Sequence, residues 1–137
     1  MKTNLDKYKT NKDKEVNGEW FEPKDMDGIR FLVARSGGAN DVRRMEEYSK
    51  SYLPHVEAIK DGSIDPEKQK EIIIYHFCKT SILDWEGVEV ENDEGELVIS
   101  DYDPDVMVKI LMDYEELFDE IVFFSNSKKN YRDELGN

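Results

Sequence analysis

The sequence has little of several residue types that small proteins use for function. Its only cysteine, Cys78, allows no internal disulfide, so a reducing compartment fits best. No apolar run is long enough to span a membrane, and the lysine-rich first residues lack the apolar core of a signal peptide. We therefore expect a cytoplasmic protein.

Basic residues are scarce in the second part of the chain. Of the 137 residues, 32 are acidic and 19 are basic, which gives a net charge of −13. Residues 1–83 hold 15 acids and 15 bases, whereas residues 84–137 hold 17 acids and four bases. The second part therefore carries the whole excess of negative charge. This charge repels nucleic-acid phosphates and anionic membranes. We expect neither as a ligand, and a cationic or polar protein partner is easier to accommodate.

Residues for catalysis or metal binding do not form a recognisable motif. His76 and Cys78 fall on different faces of a predicted helix, and no second cysteine or paired histidine completes a metal site. The acids in residues 84–96 lack the ligand spacing of a calcium loop, and there is no nucleophile motif or glycine-rich phosphate loop. We expect a protein that is not an enzyme, with no catalytic, cofactor-binding or metal-binding residues and no cofactor.

The order of apolar and turn residues predicts an α+β fold that is mainly helical. Residues 19–22 and 28–35 are predicted as the two strands of an N-terminal β-hairpin, and the side chains of the second strand alternate between two faces. A second short hairpin is predicted around the turn at residues 92–95, between the last two long helices. The composition predicts a flexible tail at 1–14, a single helical domain with hairpins at 15–127 and a polar C-terminal tail at 128–137.

Start and stop signals predict the helices. Asn40 or Asp41 caps a helix that breaks near Pro54. The pairs Asp65-Pro66 and Asp103-Pro104 each combine a cap with a proline at the first helical position. The first of these pairs begins a helix that runs to about residue 85, and the second begins an apolar stripe that runs to about residue 124 with a break near residue 113.

Some apolar residues of the last two helices exceed what one core requires. They lie on the side of each helix opposite its main apolar face, and two interpretations remain open. They are incidental surface hydrophobes, which are common, or they form a contact line for a partner's amphipathic helix. The predicted partner-binding residues are Ile72, His76, Leu83, Val108, Met112 and Phe123.

A series of short elements resembles the tail assembly chaperones of long-tailed phages. The helix end at 81–88, which includes Asp84-Trp85-Glu86-Gly87-Val88, is followed by an acidic turn at 93–95, a helix start at 103–111 and an aromatic-rich helix at 115–124. The segments 31–40 and 52–54 resemble the earlier strand and the proline-marked helix of that family, although Leu83 departs from the family spacing by one residue.

The resemblance implies a bacteriophage protein for viral tail assembly that performs no catalysis. Such a protein binds the tape measure protein, helps to recruit tail tube subunits, acts in the host cytoplasm and is not retained in the virion. It leaves homo-oligomer formation open. The alternative is a small acidic phage protein that inhibits a host protein by filling its basic groove as a DNA mimic. Binding of that kind weakens steeply with salt, whereas an apolar contact persists.

Overall fold

The computed structural model describes residues 1–133. Helices and short strands are mixed along the chain, which confirms the predicted α+β, mainly helical class. The helices are α1 (Lys12–Asn17), α2 (Asp41–Ser51), α3 (Val56–Lys60), α4 (Pro66–Thr80), α5 (Pro104–Asp113) and α6 (Glu115–Asn126). The strands are β1 (Glu19–Phe21), β2 (Arg30–Val33), β3 (Ile82–Glu86), β4 (Glu89–Glu91) and β5 (Leu97–Ile99).

The N-terminal hairpin is confirmed, and it belongs to a larger sheet than the sequence predicted. Strands β1, β2 and β3 form a three-stranded antiparallel sheet with β2 at its centre. The predicted extension of α4 to residue 85 is wrong, because the helix ends at Thr80 and the chain turns into β3. The register between β2 and β3 shifts after Leu32. Leu32 pairs with Asp84 and Val33 pairs with Ile82, so Leu83 is an extra residue without a partner on β2 and forms a β-bulge.

Local signals determine where the long helices begin and end. The side chain of Asp65 accepts a hydrogen bond from the backbone N–H of Glu67 at 2.9 Å, and Asp103 caps α5 through Asp105 in the same way at 2.9 Å. The predicted break near residue 113 is confirmed, because Tyr114 leaves the helical conformation at φ −118° and ψ 73°.

The core lies between the sheet and the helices. Helix α4 packs against α2 on one side and against α5 on the other. Trp85 of β3 is buried, donates from Nε1 to the carbonyl oxygen of Ser100 at 2.7 Å, and meets the ring of Tyr102 edge to face at 5.1 Å. Cys78 is buried in the same cluster, as an apolar helical position predicts.

The second predicted hairpin is also confirmed. Strands β4 and β5 form a separate two-stranded antiparallel sheet, in which Val90 faces Val98. Val90 packs against the main core, whereas all three residues of β5 are exposed.

Parts of the segments predicted as tails, 1–14 and 128–137, contact each other. The backbone N–H of Asn11 donates to the carbonyl oxygen of Tyr131 at 2.7 Å, and Thr10 forms a β-bridge with Arg132. Tyr131 is fully buried and its hydroxyl donates to the carbonyl oxygen of Val33 at 2.9 Å. These contacts join the two segments to each other and, through Tyr131, to β2. The rest of the predicted polar tail, residues 134–137, lies outside the described residues.

Candidate partner-binding surface

The six predicted partner-binding residues do not form one exposed line. Ile72 and Val108 are buried, with 5% and 8% of their surface exposed, so their prediction as outer contact residues is wrong. The reason is that α4 is covered on two sides, by α2 and by α5, so the residues opposite its main apolar face are also used within the chain. The apolar excess predicted for α4 is largely absorbed by the protein itself.

Three more of the six are half-buried, and one is exposed. The Nε2 atom of His76 lies 3.0 Å from the carbonyl oxygen of Arg44, and the ring meets Tyr52 edge to face, so His76 joins α4 to α2. Leu83 is the bulge residue of β3, and Met112 is near the end of α5. Phe123 has 74% of its surface exposed.

A groove lies where the beginning of α4 meets the end of α5 and the beginning of α6. It has a cavity volume of about 320 Å³. It exists because the chain changes direction at Tyr114, so α6 does not continue along α4. Sequence reasoning found the break but not the groove. Its lining residues are Pro66, Gln69, Lys70, Ile73, Ile74, Leu111, Glu115, Phe118 and Asp119.

The groove combines a fixed apolar floor with exposed apolar side chains around it. Ile74 and Leu111 are buried core residues, whereas Ile73 has 41% of its surface exposed. Tyr114, at the turn between α5 and α6, has 61% exposed. Phe123 follows Asp119 by four residues on α6, and residues at this spacing are neighbours on a helix surface. Phe123 therefore lies one helical turn beyond the lining of the groove along α6.

The charge around the groove is mostly negative. Helix α6 contains four acids, at positions 115, 116, 119 and 120, and no base. Lys70 is the one basic lining residue, and its Nζ donates to the carbonyl oxygen of Met112 at 3.0 Å, which occupies a free carbonyl near the end of α5. This surface is complementary to a partner whose apolar side chain is flanked by lysine or arginine.

Cys78 and Tyr102, two groups with raised pKa values, are structural residues that pack in or against the core. Burial raises the pKa of the Cys78 thiol to about 12, which keeps it protonated at neutral pH. Burial also raises the pKa of Tyr102, whose hydroxyl donates to the carbonyl oxygen of Ile82 at 3.0 Å. Within residues 1–133, no three His, Cys, Asp or Glu side chains are grouped as metal ligands, and no helix has the length and apolar character to cross a membrane.

The sequence model of the YdaY prophage protein family matches residues 40–136, well over half of the chain. The chain belongs to the YdaY prophage protein family. The protein therefore has a phage origin, as the resemblance implied. No curated protein and no solved structure matches the chain.

The matched range contains the groove, the second hairpin and β3 of this YdaY-family protein. Strands β1 and β2 lie before it, in residues 1–39, and they supply two of the three strands of the larger sheet. Because Phe31 and Val33 of β2 pack against the buried residues of β3, the preceding segment completes the core of the matched part.

Proposed function

We propose that this YdaY-family protein is a non-catalytic tail assembly chaperone that holds an amphipathic helix of the phage tape measure protein in the groove between α4 and α6. The observation that carries this proposal is the groove itself, with its buried apolar floor and the exposed Ile73 in its lining, and exposed Phe123 lies one helical turn beyond the lining residue Asp119. Grooves of this kind receive the apolar face of a partner's helix.

The charges define the chemistry of the partner helix. Glu115 and Asp119 of α6 line the groove, and its single basic lining residue, Lys70, is engaged with a backbone carbonyl. A partner with Lys or Arg beside its apolar stripe would gain electrostatic attraction, whereas an acidic partner would be repelled. In the proposed role the protein acts in the host cytoplasm, shields the tape measure helix from aggregation, helps to recruit tail tube subunits and is not retained in the virion.

Co-expression with the tape measure protein of the same prophage tests the proposal. We expect the wild-type protein to raise the soluble fraction of the tape measure protein and to co-purify with it. Ile73→Asp and Phe123→Asp should each abolish both effects, because a charge would be placed against the partner's apolar face. Val42→Asp is the matched control, since Val42 is 69% exposed on α2 and does not line the groove.

Two outcomes would contradict the proposal. One is equal solubility of the tape measure protein with and without this chain. The other is an equal loss of binding in the groove variants and in Val42→Asp, which would indicate a general effect of added charge and not a specific surface. Circular dichroism of each variant establishes that its fold is retained.

The acidic second part of the chain supports a second candidate, a DNA mimic that blocks the basic groove of a host protein. Residues 80–108 contain ten acids and no base. Binding of this kind depends on charge and should weaken steeply when the salt concentration rises from about 0.05 to about 0.5 M, whereas an apolar groove contact should persist. The salt dependence of any captured partner therefore separates the two functions.

A further inference from the structure

The hairpin of β4 and β5 presents an uncovered strand edge on a fixed base. At that base the backbone N–H of Ser100 donates to the carbonyl oxygen of Val88 at 3.0 Å, and the carbonyl oxygen of Ser100 accepts from buried Trp85. Val90 is packed against the core. The hairpin is thus anchored on its β4 side, and β5 is its outer strand.

The hydrogen-bond register determines which backbone groups of β5 point outward. The backbone N–H of Asn92 donates to the carbonyl oxygen of Glu96 at 2.8 Å, and the backbone N–H of Ser100 donates to the carbonyl oxygen of Val88. Hydrogen-bonded pairs alternate along an antiparallel ladder, so Val90 and Val98 form the hydrogen-bonded pair between these two. The N–H and C=O groups of Leu97 and Ile99 therefore point away from β4. In the described part of the chain no strand pairs with this edge.

The side chains of β5 are unusual for an open edge. Leu97, Val98 and Ile99 have 68%, 41% and 74% of their surface exposed. Proteins normally protect an edge strand with lysine, proline, a bulge or a covering segment, and β5 has neither lysine nor proline. Three consecutive exposed apolar residues with outward backbone groups form a template for an added strand.

The surrounding charge selects the occupant. Ile99 and Leu97 face Glu89 and Glu91 across the ladder, and the turn adds three more acids at positions 93, 94 and 96. No lysine or arginine occurs in residues 80–108. A second copy of this chain would bring two acidic hairpins together, which like-charge repulsion disfavours. In a segment that alternates apolar and basic residues, the Lys or Arg stems on one face cover Leu97 and Ile99 and their charges meet Glu89 and Glu91, while the apolar side chains on the other face lie beside Val98.

We propose that β5 captures an extended segment of a basic partner polypeptide by pairing with it as a third strand, with the partner's Lys or Arg side chains on the face that carries Leu97, Ile99 and their paired glutamates. This surface is separate from the groove and does not depend on the chaperone role. The partner's backbone supplies hydrogen bonds to the outward groups of β5, and its Lys or Arg side chains supply attraction to the acidic hairpin.

The test uses the full chain and a fluorescein-labelled peptide of about eight residues that alternates valine and lysine, with binding followed by fluorescence anisotropy. We expect saturable binding that weakens several-fold between about 0.05 and about 0.5 M salt. The same peptide methylated on the backbone nitrogens that would face β5 should bind at least about fivefold more weakly, because each lost backbone hydrogen bond reduces affinity. A peptide with glutamate in place of lysine should not bind.

Proline variants locate the site on the protein. Leu97→Pro removes an outward N–H and leaves the bonds to β4 intact, so it should weaken binding at least about fivefold. Leu97→Ala is the matched control, because it loses the side chain but keeps the N–H. The groove variant Phe123→Asp should bind the peptide as the wild type does, which separates this proposal from the chaperone function.

Three results would overturn the inference. They are equal binding of the methylated peptide, binding of the glutamate peptide, and salt-resistant self-association of the chain that Leu97→Pro abolishes. The methylated peptide probes the unchanged protein, so it decides the question even if Leu97→Pro fails to fold.

Discussion

The buried ion pair between Glu15 and Arg35 allows a quantitative test of how the first residues contribute to stability. Glu15 is 2% exposed, its Oε1 accepts from the hydroxyl of Thr10 at 3.0 Å, and its Oε2 accepts from the guanidinium of Arg35. Arg35 lies two residues after Val33, the buried end of β2, and only 15% of its side-chain surface is exposed. The pair connects α1 to the segment between β2 and α2.

We expect Glu15→Gln to lower the free energy of unfolding by about 3 kcal/mol, because the amide keeps the shape of the carboxylate and leaves the Arg35 charge unpaired. This is near the lower end for a broken buried pair, since Arg35 retains some contact with water. For a chain of this size the loss corresponds to a decrease in Tm of about 10 °C. Urea unfolding followed by tryptophan fluorescence measures the difference.

The exposed pair of Arg30 and Glu86 provides the matched control. Arg30 donates to the two carboxylate oxygens at 2.7 and 2.9 Å, but the side chains are 36% and 52% exposed. Water solvates both groups after Glu86→Gln, so the loss of stability should be much smaller. If Glu15→Gln destabilises the protein no more than Glu86→Gln does, burial of the Glu15 pair does not have the energetic role described. Adding Arg35→Gln to Glu15→Gln should recover part of the lost stability, because it removes the unpaired charge.

Three further predictions concern single positions. Gly87→Ala should lower the free energy of unfolding by at least about 2 kcal/mol in urea titrations, because Gly87 has φ +76° and an added Cβ would lie 1.9 Å from the carbonyl oxygen of Gly28; wild-type stability in this variant would contradict the turn geometry. Cys78 should react with a thiol reagent at pH 8 only after unfolding, since burial raises its pKa to about 12, and fast labelling of the native protein would refute its burial. The hydrogen bond from Arg30 lowers the pKa of Glu86, so the stability that this carboxylate adds should be present at neutral pH and lost as pH falls through its folded-state pKa. The difference in free energy of unfolding between wild type and Glu86→Gln, measured in urea from about pH 7 to about pH 3, should therefore decrease. A difference that stays constant with pH would contradict the role of this hydrogen bond.

Signals that act over a few residues were sufficient to predict much of the fold. The caps at Asp65 and Asp103, each followed by proline, begin α4 and α5 as predicted. The turn at residues 92–95 joins the two strands of the second hairpin. These features are determined by neighbouring residues, so the sequence alone contains the necessary information.

Strand β3 was misassigned because its bulge changes the spacing of its buried residues. Ile82 and Trp85 both face the core, and they are three residues apart because Leu83 is extra. A spacing of three continues the helical pattern of α4 across Thr80, whereas an unbroken strand would alternate with a period of two. The bulge becomes visible only when β2 is aligned beside β3.

The candidate sites depended on contacts that no local pattern contains. Ile72 and Val108 were predicted as outer residues because each helix was considered alone, and they are buried because α4 is packed between α2 and α5. The groove requires the relative directions of three helices. Exposed Phe123 was identified correctly as a surface residue, since it lies opposite the apolar stripe of its own helix, but its partner-binding role stays a prediction.

The contact between residues 10–14 and 131–133 makes the stability of one end depend on the other. Lys14 donates from Nζ to the carbonyl oxygen of Arg132 at 3.1 Å, and the Nδ2 of Asn11 donates to Asp133 at 2.7 Å. If either segment detaches, polar groups of the other segment lose their hydrogen bonds. These two segments should thus open as a single cooperative unit. A destabilising substitution in residues 10–14 should therefore increase the rate of amide exchange at position 131, more than a hundred residues later.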